Sequence, residues 1–318
     1  TYISGNGDST GGMWENRSQN LPTMPCEVFY DFEFGNYNSQ SSYDMCIAVK
    51  PDDADVVFLG GTNVYRSEDG FTTSTSEWIG GYRCDTVTPS DYIWRNHHPD
   101  QHYFIFLPSE ADVMITANDG GLYKTNDCMA DPITWESLNN GYVTSQFYTV
   151  AIEEGWATND IVVGGTQDNG TSWTNSEDIE DDWEWVFYGD GAYCAIPEGR
   201  DNYYLSWQTG KTFKFEIDDD GNVLGLTRID PALAGGHLFI NPFILDKNDQ
   251  NIMYMTIGRY IWRNDSLDAI PIIGDEYNPI EQGWQRVQES YIGFDVQQPS
   301  ISCLEISREP AHILYYGT

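Results

Sequence analysis

The sequence predicts an all-β protein of the β-propeller class, built from repeated four-stranded sheets. Three observations lead to this prediction. Short β-rich runs recur with a period of roughly 45–60 residues, Gly, Asn and Asp turns separate them, and no segment keeps an apolar period of 3.6 residues. A lone four-stranded sheet cannot bury both of its faces, so we expect the sheets to stack around an axis.

The repeat is clearest in the stretch 97–127, where a polar lead-in precedes three strands. We predict these strands at Tyr103–Leu107, Val113–Ala117 and Leu122–Thr125, the last two joined by an Asn-Asp-Gly-Gly bend. The first strands of the successive copies fall near residues 46, 104, 148, 194, 243 and 303. A Trp-bearing fourth run closes most copies, at Glu77–Ile79, Thr134–Glu136, Trp183–Val186 and Gly283–Gln285.

This spacing predicts a single propeller domain over residues 1–318. Five full blades cover approximately 44–299, and partial blades cover 1–43 and 300–318. We expect about six to seven blades: either the N-terminal strands complete the last blade and give six, or the chain is a window cut from a larger propeller. The end of the sequence where a third strand is due favours the window.

The charge restricts the partners. Fifty Asp and Glu residues stand against 15 Lys and Arg, for a net charge of −35. Such a surface repels nucleic acid and anionic lipid, so we expect neither as a partner, and no apolar run approaches the roughly 20 residues of a membrane span. The composition suits a secreted or cell-surface protein, a salty medium or divalent cations.

Two stretches carry a family resemblance. SEDGFTT (Ser67 to Thr73) resembles an Asp-box, the Ser-x-Asp-x-Gly-x-Thr-Trp hairpin, and TND (Thr125 to Asp127) followed by ITW (Ile133 to Trp135) resembles the same box split by an insertion. The chain is thus similar to the BNR or exo-sialidase-like and sortilin/VPS10-like propellers, in particular those of large surface proteins exported by the type IX secretion route. The resemblance implies a structural role, at the turn between the third and fourth strands, for Ser67, Asp69, Gly70, Thr125, Asp127 and Trp135.

Candidate functional residues follow from the blade pattern. In a propeller, the loops before the first strands and those between the second and third strands open on one face. Asp44 lies in a loop before a first strand but is not among the catalytic candidates. The candidate catalytic residues are four other acids in the loops of this face: Asp100, Asp119, Asp168 and Asp190. A pair of them could hydrolyse a glycosidic bond as acid and base, whereas the alternative is that each Asp holds its own turn. The candidate ligand-binding residues are His97, His98, His102, Asn118, Gln167, Asn169 and Arg259.

Metal binding is a weaker hypothesis at two places. His97, His98 and His102 lie beside Asp100, a composition that can ligate Zn²⁺, but their spacing matches no strong metal motif, and a structural loop is the favoured interpretation. Asp218 and Asp220 precede a glycine and are candidates for Ca²⁺, although the plain interpretation is a hairpin turn. We therefore expect no cofactor, with Ca²⁺ as the alternative.

Cysteines and tryptophans are expected to be largely structural. Cys46, Cys194 and Cys303 occupy the same place on three first strands and are predicted as buried core residues, while Cys84 and Cys128 could form a bridge. Trp156 and Trp207 are the best candidates for a surface that stacks on sugars.

These observations favour a non-catalytic binding or adhesion module for a protein or glycan ligand, within a larger exported protein. Its partners would be other domains of the parent protein, surface or secretion-machinery proteins, or glycans. A glycoside hydrolase is the first alternative, but a sialidase would need an arginine triad, and only Arg259 lies clearly on the predicted face. The second alternative is a structural spacer or secretion cargo domain.

Overall fold

The computed structural model describes residues 2–3, 13–24, 35–83, 93–142, 145–153, 161–178, 180–199, 202–231, 235–291 and 300–318. These residues group into two compact units, Thr1–Thr144 and Ser145–Thr318. Across the described ranges the secondary structure consists of strands and single 3₁₀ turns, the latter at Ser18–Asn20, Gln40–Ser42, Gln208–Gly210, Leu267–Ala269 and Gln288–Ser290. No helix found there is long and apolar enough to cross a membrane.

The first unit contains a short hairpin and two four-stranded sheets. The hairpin pairs β1 (Tyr2–Ile3) with β2 (Met13–Trp14). Sheet I comprises β3 (Cys46–Lys50), β4 (Asp53–Gly60), β5 (Val64–Ser67) and β6 (Glu77–Gly80). Sheet II comprises β7 (Gln101–Leu107), β8 (Glu110–Asn118), β9 (Gly121–Thr125) and β10 (Glu136–Ser137).

The second unit continues the pattern with three full sheets and a partial one. Sheet III comprises β11 (Phe147–Ile152), β12 (Val162–Thr166), β13 (Gly170–Thr174) and β14 (Glu184–Phe187). Sheet IV comprises β15 (Gly191–Ala195), β16 (Tyr203–Trp207), β17 (Thr212–Ile217) and β18 (Val223–Arg228). Sheet V comprises β19 (Phe243–Leu245), β20 (Met253–Ile257), β21 (Tyr260–Asn264) and β22 (Trp284–Val287). Sheet VI pairs β23 (Cys303–Ile306) with β24 (Leu314–Gly317).

Each full sheet is an antiparallel meander in which every strand pairs with the next one in sequence. Within each unit the first strands of successive sheets contact one another, β3 with β7 in the first and β11 with β15, β15 with β19 and β19 with β23 in the second. Consecutive four-stranded meanders with adjacent first strands are the blades of a β-propeller. The predicted fold class is thereby confirmed, as are the first strands predicted near residues 46, 104, 148, 194, 243 and 303.

The apolar side chains between facing sheets form the core. Phe58, Val64 and Ile79 of sheet I pack with Phe104 and Met114 of sheet II. Sheets III and IV enclose an aromatic cluster, and sheets IV and V enclose a second one that contains Tyr204, Phe243 and Met253. Some positions have no room for a side chain, because a Cβ on Gly165 would lie 2.3 Å from the carbonyl oxygen of Ala192.

Strand boundaries differ from prediction in the repeat that was clearest in sequence. β7 begins at Gln101 because that residue pairs with Asn118, with a register shift between Gln101 and Tyr103. His102 therefore lies in a strand and not in the predicted lead-in loop. Trp135 and Trp183 each lie one residue before the fourth strand in which they were expected.

The single-domain arrangement over residues 1–318 stays a prediction, since the chain groups into two compact units.

Candidate functional site

The loop before β7 is fastened to the neighbouring sheet by backbone bonds. The amides of Asp100 and Gln101 donate to the carbonyl oxygens of Thr62 and Gly61, both at 2.9 Å. Asp100 adopts a left-handed φ of +64°, which is uncommon for a residue with a side chain. These constraints hold the Asp100 carboxyl at the edge where sheets I and II meet.

His97 lies in the core beneath this edge and does not face a ligand. Only 1% of it is exposed. Its Nδ1 accepts a hydrogen bond from the Gly81 amide at 3.1 Å, so the ring is protonated on Nε2, which donates to Thr116 Oγ1 at 3.0 Å. Burial lowers the pKa of His97 to about 3. Both ring nitrogens are engaged by the protein, so the contacts seen for His97 are structural, and its ligand-binding role stays a prediction.

His98 and Asn118 hold the turn beside it. The Asn118 side chain donates to the His98 carbonyl oxygen at 3.0 Å and accepts from the Gly120 amide at 3.1 Å. The His98 ring lies against Gly120, where a Cβ would come within 2.4 Å of the histidine Cβ. Asn118 thus acts as a turn residue, and Asn118 and His98 shape the surface above Asp100.

Three carboxyl groups converge at this edge, from Asp44, Asp100 and Asp119. One carboxylate oxygen of Asp100 and one of Asp119 lie within 4.8 Å of each other. Gln40 donates to Asp100 Oδ1 at 2.7 Å, and His102 Nε2 is paired with Asp119 Oδ1. His102 also packs edge-to-face on the Tyr43 ring. The structure therefore brings together Asp100, Asp119 and His102 of the predicted set.

Asp44 is the acid of this cluster that sequence reasoning left out of the catalytic candidates. It is fully buried, and neither carboxylate oxygen meets a hydrogen-bond donor among the described residues. Burial, and the nearby charge of Asp119, raise the pKa of Asp44, although its interactions with Asp100, His102 and Gln40 oppose the shift. The available signal was its position two residues before β3, similar to that of Asp100 directly before β7.

In the second unit the candidate residues bind one another. The Asp168 amide donates to Asp190 Oδ1 at 3.0 Å, and the Asp190 amide donates to Gln208 Oε1 at 3.1 Å. Asp168 has φ +58°, so the carboxylate of Asp190 holds a strained turn. The Asn169 side chain donates to the Gln167 carbonyl oxygen at 3.1 Å, and Arg259 lies in the loop between β20 and β21. The Asp190 carboxylate holds this loop, as the structural alternative predicts.

The Asp-box candidates hold the turn between β5 and β6. Asp69 accepts hydrogen bonds from Ser67 Oγ at 2.8 Å, the Thr73 amide at 3.0 Å and Thr73 Oγ1 at 2.7 Å. The hydroxyl bonds from Thr73 and Ser67 hold the pKa of Asp69 well below its usual range. Gly70 supplies a positive φ of +62°. The loop after β9 is similar, since Asp127 Oδ1 accepts from the Met129 amide at 2.9 Å and the Asp127 amide donates to Thr125 Oγ1 at 3.3 Å.

The Asp218 to Asn222 segment is the hairpin turn between β17 and β18. Asp218 Oδ1 accepts from the amides of Asp220 and Asn222 at 3.0 and 2.8 Å, and these bonds lower its pKa. The Asp218 carboxylate is therefore already coordinated by the backbone of its own turn. The Asp220 side chain is exposed beside it.

Cysteines and tryptophans follow the predictions in part. Cys46 and Cys194 are partly buried on first strands, whereas Cys303, on β23, is exposed. Cys128 is a buried free thiol, and Cys84 lies outside the described residues. Trp156 also lies outside them. The Lys211 ammonium lies over the Trp207 ring at 4.9 Å and the Phe213 ring stacks on it at 5.8 Å, so the indole packs against side chains of its own blade.

A polar groove lies in the second unit between the outer turns of sheets III and IV. Its volume is about 350 Å³. Its lining residues are Trp173, Thr174, Asn175, Ser176, Asp181, Asp182, Glu184, Asp219 and Asp220. The Asn175 side chain donates to the Asp219 carbonyl oxygen at 2.9 Å and ties the two turns together. The groove thus presents five acids and no basic residue.

Together these elements define a β-propeller module of four-stranded blades. No protein-family model matches the chain, and no curated protein matches it. Among solved structures it is similar to the GH74 xyloglucanase from Xanthomonas campestris, with 13% identity and a TM-score of 0.31 over 76% of this chain and 38% of that one. It is also similar to YCF48 from Cyanidioschyzon merolae, with 11% identity and a TM-score of 0.32 over 83% of this chain and 90% of that one. The chain spans about two fifths of the xyloglucanase, and the fold class stands on the sheets themselves.

Proposed function

We propose that this chain is a non-catalytic binding module of a larger exported or cell-surface protein and that it recognises a basic protein segment. The resemblance to Asp-box propellers of type IX secretion cargo supports a location outside the cell. The net charge of −35 supports a positively charged partner, because complementary potentials accelerate and orient association.

The observation that carries the proposal is the engagement of the candidate catalytic acids by internal partners. Gln40 holds Asp100, His102 holds Asp119, and the carboxylate of Asp190 accepts the Asp168 amide. A glycosidase needs one carboxyl group at the leaving oxygen and a second at the sugar ring or its attacking water. Carboxyl groups that are buried, or that hold their own loops, are poorly placed for either task.

The groove between the outer turns of sheets III and IV is the surface that we assign to the partner. Asp182, Glu184 and Asp220 are exposed along it. A Lys or Arg side chain would find carboxylates on more than one side of the groove. Each exposed pair contributes little, about 0.2–1 kcal/mol, so several must act together.

The test is binding of the full chain to an array of basic peptides and to a glycan array, with reducing-sugar release measured in parallel. The triple variant Asp182→Asn, Glu184→Gln, Asp220→Asn should bind the captured basic peptide about tenfold more weakly, because three attractive charges are lost. The matched control is Asp55→Asn, Glu68→Gln, Glu110→Gln, which removes three exposed charges from the first unit. Equal weakening in both triples would reduce the effect to net charge and would remove the groove from the proposal.

A glycoside hydrolase is the second candidate, and the pKa of Asp44 favours it. Burial raises the pKa of Asp44, which lies near Asp119, and a carboxyl group that keeps its proton can act as the general acid of glycoside hydrolysis. Sugar release that disappears in Asp44→Asn would replace the binding proposal with this one. A chain that binds nothing on either array would leave the spacer or cargo role.

A further inference from the structure

We infer that Asp44, Asp100 and Asp119 form a binding site for a divalent cation of the Ca²⁺ type at the edge where sheets I and II meet. The inference is independent of the proposed function, because the site lies in the first unit and requires no partner protein.

The three acids come from three separate elements. Asp44 immediately precedes the segment that leads into β3, Asp100 precedes β7, and Asp119 lies in the turn between β8 and β9. Asp100 and Asp119 present carboxylate oxygens within 4.8 Å of each other. The Asp44 carboxyl group interacts directly with that of Asp100 and electrostatically with Asp119 and His102, so it belongs to the same cluster.

The distribution of donors leaves Asp44 unsatisfied. The Gln40 amide donates to Asp100, and His102 is paired with Asp119. Both Asp44 oxygens are buried and, within the described residues, meet no hydrogen-bond donor. Buried polar groups in folded proteins almost always have a partner, and an unpaired buried carboxylate is among the most costly to leave without one. A cation between the three carboxylates would supply the missing partner.

The chemistry of the donor set selects the ion. Carboxylate oxygens are hard ligands that suit Ca²⁺ and Mg²⁺, and Ca²⁺ accepts irregular geometry with six to eight ligands, whereas Mg²⁺ demands a near-ideal octahedron. His102 contacts Asp119 through Nε2 and would orient that carboxylate from outside the ion. Three carboxylates without a dedicated loop resemble extracellular calcium modules, whose dissociation constants are on the order of 10⁻⁴ to 10⁻³ M.

The experiment is a calcium titration of the full chain after dialysis against a chelator, followed by isothermal calorimetry and by thermal unfolding. We expect one saturable site and a rise of several degrees in the unfolding midpoint, because a ligand that binds only the folded state stabilises it. Asp44→Asn and Asp119→Asn should each weaken calcium binding at least about tenfold, the loss of one charged ligand.

Asp44→Asn has a second diagnostic value. Without calcium it should unfold at the same temperature as the parent or above it, because it removes a buried charge next to two others. With calcium it should show no further rise. The control is Asp218→Asn, which alters an acid that its own turn already satisfies, and it should keep the full calcium response.

Two outcomes would overturn the inference. If calcium up to about 10⁻² M does not raise the unfolding midpoint of the parent protein, Asp44 and Asp100 share a proton and bind no cation. If Asp44→Asn and Asp218→Asn respond to calcium as the parent does, the ion binds other acids. Should Asp44→Asn fail to fold, Asp119→Asn and the parent titration decide between the same outcomes.

Discussion

The indole Nε1 of Trp135 donates a 2.8 Å hydrogen bond to the carbonyl oxygen of Ile79. Trp135 lies directly before the fourth strand of sheet II, and Ile79 lies in the fourth strand of sheet I. The second unit repeats the contact, since Trp284 Nε1 donates to the carbonyl oxygen of Ile229, which follows the fourth strand of sheet IV, at 2.5 Å. Two of the tryptophans that mark the repeats in sequence, Trp135 and Trp284, therefore join adjacent blades.

Replacing Trp135 with Phe should lower the free energy of unfolding by about 2 kcal/mol. The change leaves the buried Ile79 carbonyl oxygen without its donor and removes part of a large ring from the core. Urea denaturation followed by circular dichroism measures the effect. Trp185→Phe is the matched control, because Trp185 is 59% exposed, and its cost should stay below about 0.5 kcal/mol. Equal losses at the two positions would refute a special role for the contact between the blades.

His97 should make the protein less stable in mild acid. Its pKa is about 3 in the folded chain and near the ordinary value of 6.5 when unfolded. Between these values the unfolded chain binds a proton that the folded chain does not, so stability falls as the pH drops below 6.5. At pH 5 the loss relative to pH 7 should be about 2 kcal/mol.

The variant His97→Gln isolates the contribution of His97 to the pH dependence, because all other titratable groups are the same in both proteins. Glutamine can accept from the Gly81 amide and donate to Thr116, but it does not titrate. We expect the parent protein to lose more stability than the variant between pH 7 and pH 5 in urea melts. Parallel pH profiles for the two proteins would contradict the burial of a neutral His97.

Gly165 should tolerate no side chain. A Cβ there would lie 2.3 and 2.6 Å from the backbone oxygen and nitrogen of Ala192 in the facing first strand, and backbone atoms cannot move aside as a side chain can. Gly165→Ala should therefore cost about 1–3 kcal/mol or prevent folding of the second unit. Gly235→Ala, which meets nothing within 4 Å, should change the unfolding free energy by less than about 0.5 kcal/mol. A thermal melt that ranks the two variants equally would exclude close packing of sheets III and IV.

Much of the fold could be predicted because each blade has a local sequence pattern of short strands and turns. The hairpin turn expected at Asp218 and Asp220 follows β17 (Thr212–Ile217), since alternating apolar residues between Gly and Asp turns specify a strand without reference to the rest of the chain. The start of β7 could not be predicted, because Gln101 joins the strand only through its partner Asn118. Pairing of that kind is set by register, and the sequence of one strand does not carry it.

The candidate site shows the same division. The sequence placed Asp100, Asp119 and His102 on one edge, because loops at equivalent positions of successive blades share a face. The sequence could not distinguish His97 from His102, five residues away. His97 is buried, with 1% of its surface exposed, whereas the side chain of His102 is 35% exposed. Nor could it single out Asp44, whose lack of a donor depends on Gln40 and His102 binding its neighbours.

Local patterning and short-range hydrogen bonds were enough to predict the class of fold, the positions of the first strands, and the turns that Asp69 and Asp218 hold. Which acids have hydrogen-bond donors, and which one lacks them, became visible only in the folded chain. That outcome depends on the burial of Asp44 and on donors contributed by other segments, and burial is a property of packed sheets that no single stretch of sequence contains.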